Sequence, residues 1–110
     1  MTPTTEQITD LTTKMAAKKT AQVAADAAYA AFTAADFANT ATLATFNGAV
    51  IAGETSNAAT LIQAVIDAAI LRSDKMAAHQ AAATTLFSTV AALNDAVQAL
   101  ITEATAPPFP

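Results

Sequence analysis

The chain has no cysteine and no tryptophan. The first absence excludes a disulfide framework and a thiolate metal site, and it leaves the redox compartment unmarked. Glycine occurs only twice in 110 residues, as Gly48 and Gly53, both close to the midpoint. Charged residues make up 13%, about half the roughly 25% of an ordinary soluble domain. Only five are basic against nine acidic, for a net charge of −4. Lys14, Lys18, Lys19, Arg72 and Lys75 form two small groups and no stripe, so a nucleic-acid partner, which needs a basic face, is not expected. Long lipid-compatible runs are also missing. Residues 76–94, "MAAHQAAATTLFSTVAALN", carry no Asp, Glu, Lys or Arg, yet alanine and threonine favour lipid only weakly and His79, Gln80 and Asn94 interrupt them. The start, "MTPTTEQITD", has neither the basic residues nor the apolar run of a secretory signal.

What fills the sequence instead is alanine, with threonine beside it: 32 and 18 residues respectively. Alanine is the best helix former, and residues 4–47 and 56–104 contain neither glycine nor proline. Thr4 and Gln7 have the spacing of a capping box. Thr55, Ser56 and Asn57 are candidate caps for a second helix, and "APPFP" ends it. The glycines then have one use, because a helix stops easily at a residue in the left-handed conformation: Gly48 takes it, or Gly53 if the helix runs on through Val50 and Ile51. The spacing predicts a helix over about 4–47, a turn over about 48–55 holding Gly48 and Gly53, a helix over about 56–104 and an extended tail over 105–110. The expected fold is all-α: a single domain formed by a long antiparallel two-helix hairpin, alanine-rich and coiled-coil-like, which completes a helical bundle by oligomerisation. A break at Ser73-Asp74 would give a three-helix bundle instead.

Both arms carry heptad spacing, the period of helices crossing at a shallow left-handed angle. In the first arm positions 17, 21, 24, 28, 31, 35 and 38 are all alanine. In the second, Ile62, Ile66, Ala69, Ser73, Met76, Gln80, Ala83, Phe87, Val90, Asn94, Val97 and Ile101 follow the same steps. Folding the chain about residue 51 sets "AAKKTAQVAADAAY" against "RSDKMAAHQAAATT", a thin waist where Ala24 and Ala28 should be tight. Neighbouring apolar pairs at 61/62, 65/66, 70/71, 86/87 and 100/101 make a stripe wider than one partner helix covers. Leu61, Ile62, Val65, Ile66, Leu86, Phe87, Val90, Val97 and Ile101 are therefore interface candidates, joined by Phe109 in the tail.

No catalytic constellation is present, and neither cofactor nor metal is expected. His79 is the only histidine, and Lys75, Met76, Ala82 and Ala83 at helical spacing offer no second ligand. Asp26 has Arg72 or Lys75 as its expected ion-pair partner at the waist. Two resemblances stand beside this reading. Thr9, Thr20 and Thr42, with Ala31 between, keep an eleven-residue spacing that resembles the alanine-rich helical antifreeze proteins and implies an ice-binding face. Phe46-Asn47-Gly48 at the expected turn, in a chain of about 100 residues, looks like the Trp-x-Gly of the WXG100 family of small secreted hairpins. That resemblance implies export with a partner hairpin, although the Tyr-x-x-x-Asp/Glu signal is missing after Val97. The leading expectation is a non-enzymatic structural subunit, such as a capsid, decoration or tail component of a virion or a filament, whose partner is itself or a larger protein assembly.

Overall fold

The computed structural model describes residues 2–106; Phe109 and the rest of the proline-rich end lie outside the described residues. Two α-helices, α1 over Thr5–Ala52 and α2 over Ala58–Thr105, pack against each other, and there is no strand among the described residues. The unbroken α2 disposes of the three-helix alternative: Ser73 and Asp74 are helical.

The helix ends form by local chemistry. The Gln7 amide donates to Thr4 Oγ1 at 3.1 Å, while the Thr4 amide donates to Gln7 Oε1 at 2.8 Å, completing the capping box. At the other end of α1 the Glu54 amide reaches back to the Ala49 carbonyl at 3.0 Å, and the Gly53 amide to that of Val50 at 3.1 Å. With φ of 72° at Gly53, this is a Schellman ending. Helix α1 therefore runs through Gly48, Val50 and Ile51, and of the two glycines offered as its end it is Gly53 that takes the left-handed conformation, five residues beyond the earlier of the two. Asn57 stands at the start of α2, its carbonyl accepting the Leu61 amide at 3.0 Å.

Moving the turn changes the register. Across the hairpin Gln7 meets Glu103, Asp36 meets Arg72 and Tyr29 meets His79. Position numbers of partners thus sum to about 108–110 rather than about 102, so the chain folds about residues 54–55. "AAKKTAQVAADAAY" meets "RSDKMAAHQAAATT" out of the expected register: its last residue, Tyr29, lies against His79 rather than against position 73. Asp26 is not the partner of Arg72; Asp36 is, with Arg72 Nε donating to its Oδ1 at 2.6 Å.

The packed columns keep strict heptad steps. On α1 the inner positions run 7, 11, 14, 18, 21, 25, 28, 32, 35, 39, 42, 46 and 49, with Gln22, Ala31 and Asp36 also half-buried beside them. On α2 they run 58, 61, 65, 68, 72, 75, 79, 82, 86, 89, 93, 96 and 100, with Met76 and Val90 also half-buried beside them. The expected α2 column has the right period but starts one residue late, a rotation of about 100°. On α1 the column through Ala21, Ala28 and Ala35 is right, while Lys18, Ala25, Phe32 and Asn39 replace Ala17, Ala24, Ala31 and Ala38.

The packing resolves into two compact units, one of residues 26–81 around the turn and one that joins 1–25 to 82–110. In the turn unit Ala35 is the buried residue, with Phe32, Phe46, Leu61 and Val65 half-buried. In the other unit Ala21 and Ala25 are buried, with Leu11, Leu86, Leu93 and Leu100 half-buried. Among the described residues these three alanines are the whole buried core.

Candidate interaction surface

The heptad geometry decides which residues point away from the partner helix. Positions four residues after an inner position lie beside it on the same helix. On α1 those following Ala25, Phe32, Asn39 and Phe46 are Tyr29, Asp36, Leu43 and Val50. On α2 those following Ala58, Val65 and Arg72 are Ile62, Ala69 and Met76. In an antiparallel pair these two columns fall on the same side. The turn unit bears this out: Tyr29 touches His79, Asp36 pairs with Arg72, and Val50 and Ile62 line one open apolar groove with Phe46 and Leu61.

This side is apolar and mostly uncovered. In the turn unit Tyr29, Leu43, Val50, Ile62 and Ile66 are exposed large hydrophobics. In the other unit the same columns carry Ile8, Met15, Phe87, Val97 and Ile101, also exposed, Phe87 to 78%. The stripe on α2 from Ile62 to Ile101 is the column expected to face α1. It turns out to be a second heptad column beside the one that does, with no charged residue among its twelve positions.

The interface candidates therefore divide. Leu61, Val65 and Leu86 belong to the packed column within the chain. Ile62, Ile66, Phe87, Val97 and Ile101 are exposed, and Val90 is half-buried beside them. Phe109 lies outside the described residues. Sequence reasoning missed the outer column of α1, where Val23, Phe37 and Ile51 recur every fourteen residues and Ile51 is 88% exposed. Its signal was present as an apolar residue at every second heptad.

Threonine suits such a surface. Thr12, Thr33, Thr40, Thr42, Thr45, Thr89 and Thr105 each donate the side-chain hydroxyl to the carbonyl four residues back. A hydroxyl satisfied inside its own helix can be covered by another chain without leaving an orphan donor.

Arg72 and His79 bring polar chemistry into the hairpin seam. Arg72 lies 5.3 Å over the Phe32 ring while it pairs with Asp36. Asp67 accepts from Gln63 on its own helix and does not approach Asp36. His79 sits between Tyr29 and Phe32 at ring separations of 5.4 and 6.3 Å, and its buried Nδ1 has no hydrogen-bond partner. No group of three His, Cys, Asp or Glu side chains able to hold a metal occurs among the described residues. Among the described residues no helix is long and apolar enough to cross a membrane.

The residues behind both resemblances sit differently from what those resemblances require. Phe46, Asn47 and Gly48 lie within α1, with Phe46 in the packed column, so the Trp-x-Gly analogue is not at the turn. Thr42 lies in the packed column facing α2, whereas Thr9 and Thr20 are exposed, so the spaced threonines do not share one free face. Comparison with protein-family models, curated proteins and solved structures gives no match.

Proposed function

We propose that this protein is a non-enzymatic structural subunit that works by helix–helix packing with copies of itself, within a larger ordered assembly such as a virion shell, tail or filament. One observation carries the reading: the described residues bury only Ala21, Ala25 and Ala35, while fifteen large hydrophobic side chains stay exposed. Alanine burial contributes little to stability, since the hydrophobic gain scales with the apolar area removed from water. Soluble monomers rarely leave wide apolar patches uncovered, and those that persist mark interaction sites. The uncharged stripe on α2 and the separate outer column of Val23, Phe37 and Ile51 give the subunit more than one adhesive direction. A simple dimer uses one; a repetitive assembly uses both.

Sedimentation at micromolar concentration, followed by electron microscopy, tests this. Oligomers that grow into particles or fibres are expected. A cooperatively melting monomer at that concentration overturns the reading.

A further inference from the structure

We propose that the apolar groove beside the turn receives residues 107–110 of a neighbouring copy, with Phe109 as the inserted side chain. This rests on the assembly reading above and gives it a joint between copies.

The groove belongs wholly to the turn unit. It is lined by Phe46, Ala49 and Val50 of α1 and by Ala58, Leu61 and Ile62 of α2, and its volume is about 270 Å³. Ala49 and Ala58 are inner positions whose side chains stop at Cβ, which leaves the space open. Val50 and Ile62 are 60% and 47% exposed beside it. Pockets for small ligands begin at about 300 Å³, so this one suits a single ring on an extended chain rather than a whole helix. Glu54 is its one charged lining residue.

The sequence supplies an occupant of matching chemistry. Residues 107–110, outside the described residues, read Pro-Pro-Phe-Pro, and Phe109 is the only large apolar side chain after Ile101. Residues 104–110 carry no charge, so they approach Glu54 without the repulsion that another acidic surface of this chain would meet. Proline has no N–H, and of these four residues only Phe109 brings a backbone donor that needs a partner. Glu54 and Thr55, which line the same groove, carry acceptor oxygens for it. Adjacent prolines, and a phenylalanine ahead of another proline, favour extended backbone before docking, which lowers the entropy lost on binding. Segments of this kind dock in aromatic-lined grooves, and Phe46 supplies the ring here. The groove uses the first turns of α2, and the segment follows the last turn of the same unbroken helix, so a neighbouring copy is its source. A contact between two different surfaces repeats from copy to copy, into rings or open filaments.

The cysteine-free chain allows a direct test by cross-linking of full-length variants under mild oxidation. Thr55→Cys chains mixed with Pro110→Cys chains should give the mixed disulfide in preference to either self-link. Adding Phe109→Ala to the Pro110→Cys chain should abolish that link while circular dichroism shows unchanged helicity. Val50→Glu on the Thr55→Cys chain should abolish it from the groove side, and Ile62→Glu should do the same if the first variant packs poorly. A mixed link that survives Phe109→Ala, or both groove variants, overturns the proposal. So does a chain carrying both Thr55→Cys and Pro110→Cys that closes on itself at high dilution, because its own segment then fills the groove. If the parent sediments as an oligomer and no mixed link forms, the joint is wrong and the assembly reading survives. A monomeric parent with no mixed link overturns both.

Discussion

Arg72 holds Asp36 at 2.6 Å across the hairpin while its guanidinium lies over the Phe32 ring, so one side chain on α2 clamps two neighbours on α1. The ion pair is half-exposed, which limits it to about 0.2–1 kcal/mol. The contact with Phe32 adds packing along the arginine stem and a cation–π term of about 0.5–1 kcal/mol. Arg72→Ala should therefore lower the melting temperature more than Asp36→Ala does. Equal losses from the two variants would show that the ring contact is energetically empty.

The two glycines should respond in opposite directions. Gly48 is inside α1 with open space where a Cβ would stand, so Gly48→Ala should stabilise by about 0.5–1 kcal/mol. Gly53 has the same open space but a φ of 72°, which costs an alanine about 1–2 kcal/mol. Gly53→Ala should destabilise by that amount in denaturant melts. A stabilising Gly53→Ala would place the turn elsewhere.

Phase along α1 is tested by a leucine pair. Ala25 is buried against α2, so Ala25→Leu should overpack the seam and cost about 1–3 kcal/mol. Ala24 is exposed, and Ala24→Leu should stay within about 0.5 kcal/mol. Reversed costs would restore the column expected from sequence. Thr4→Ala, which removes one half of the capping box, should cost about 0.5–2 kcal/mol.

These tests fall where the sequence was ambiguous. The helices, the capping box and the heptad period were all legible, because each depends on neighbours within a few residues. Phase was not legible on α2. Ile62 is an isomer of its neighbour Leu61 and Ile66 exceeds Val65 by one methylene, so neither marks its column as the inner one, and either column satisfies the period. What decided it was the position of the turn: with Gly53 rather than Gly48 ending α1, the register shifts by nearly two helical turns. Alanine made matters worse on α1. A column composed wholly of alanine marks no face, and Lys18 and Asn39 proved to be packed positions although their chemistry does not suggest it. The interaction surface was half legible for the same reason. Its width was evident from the doubled apolar pairs, but which member of each pair faced outward was not.

His79 supplies the last test. It occupies a packed position of α2 between Tyr29 and Phe32, with Lys75 and Arg72 also in the packed column one and two turns before it. Its buried Nδ1 has no hydrogen-bond partner. A buried polar atom left unpaired costs about 1–3 kcal/mol, and replacing it with an apolar group of similar volume removes that cost. Leucine at this position also continues the series Leu86, Leu93 and Leu100 seven residues apart, and it suits a heptad seam. Against this stands the loss of two ring contacts, each worth at most about 0.5–1.5 kcal/mol beyond buried area. The unpaired nitrogen should decide the balance, so His79→Leu should raise the melting temperature of the protein. His79→Gln, which keeps a polar group in the same seam and loses the ring, should lower it. If His79→Leu melts lower than the parent, the ring contacts outweigh the orphan nitrogen and the histidine is a packing residue in its own right.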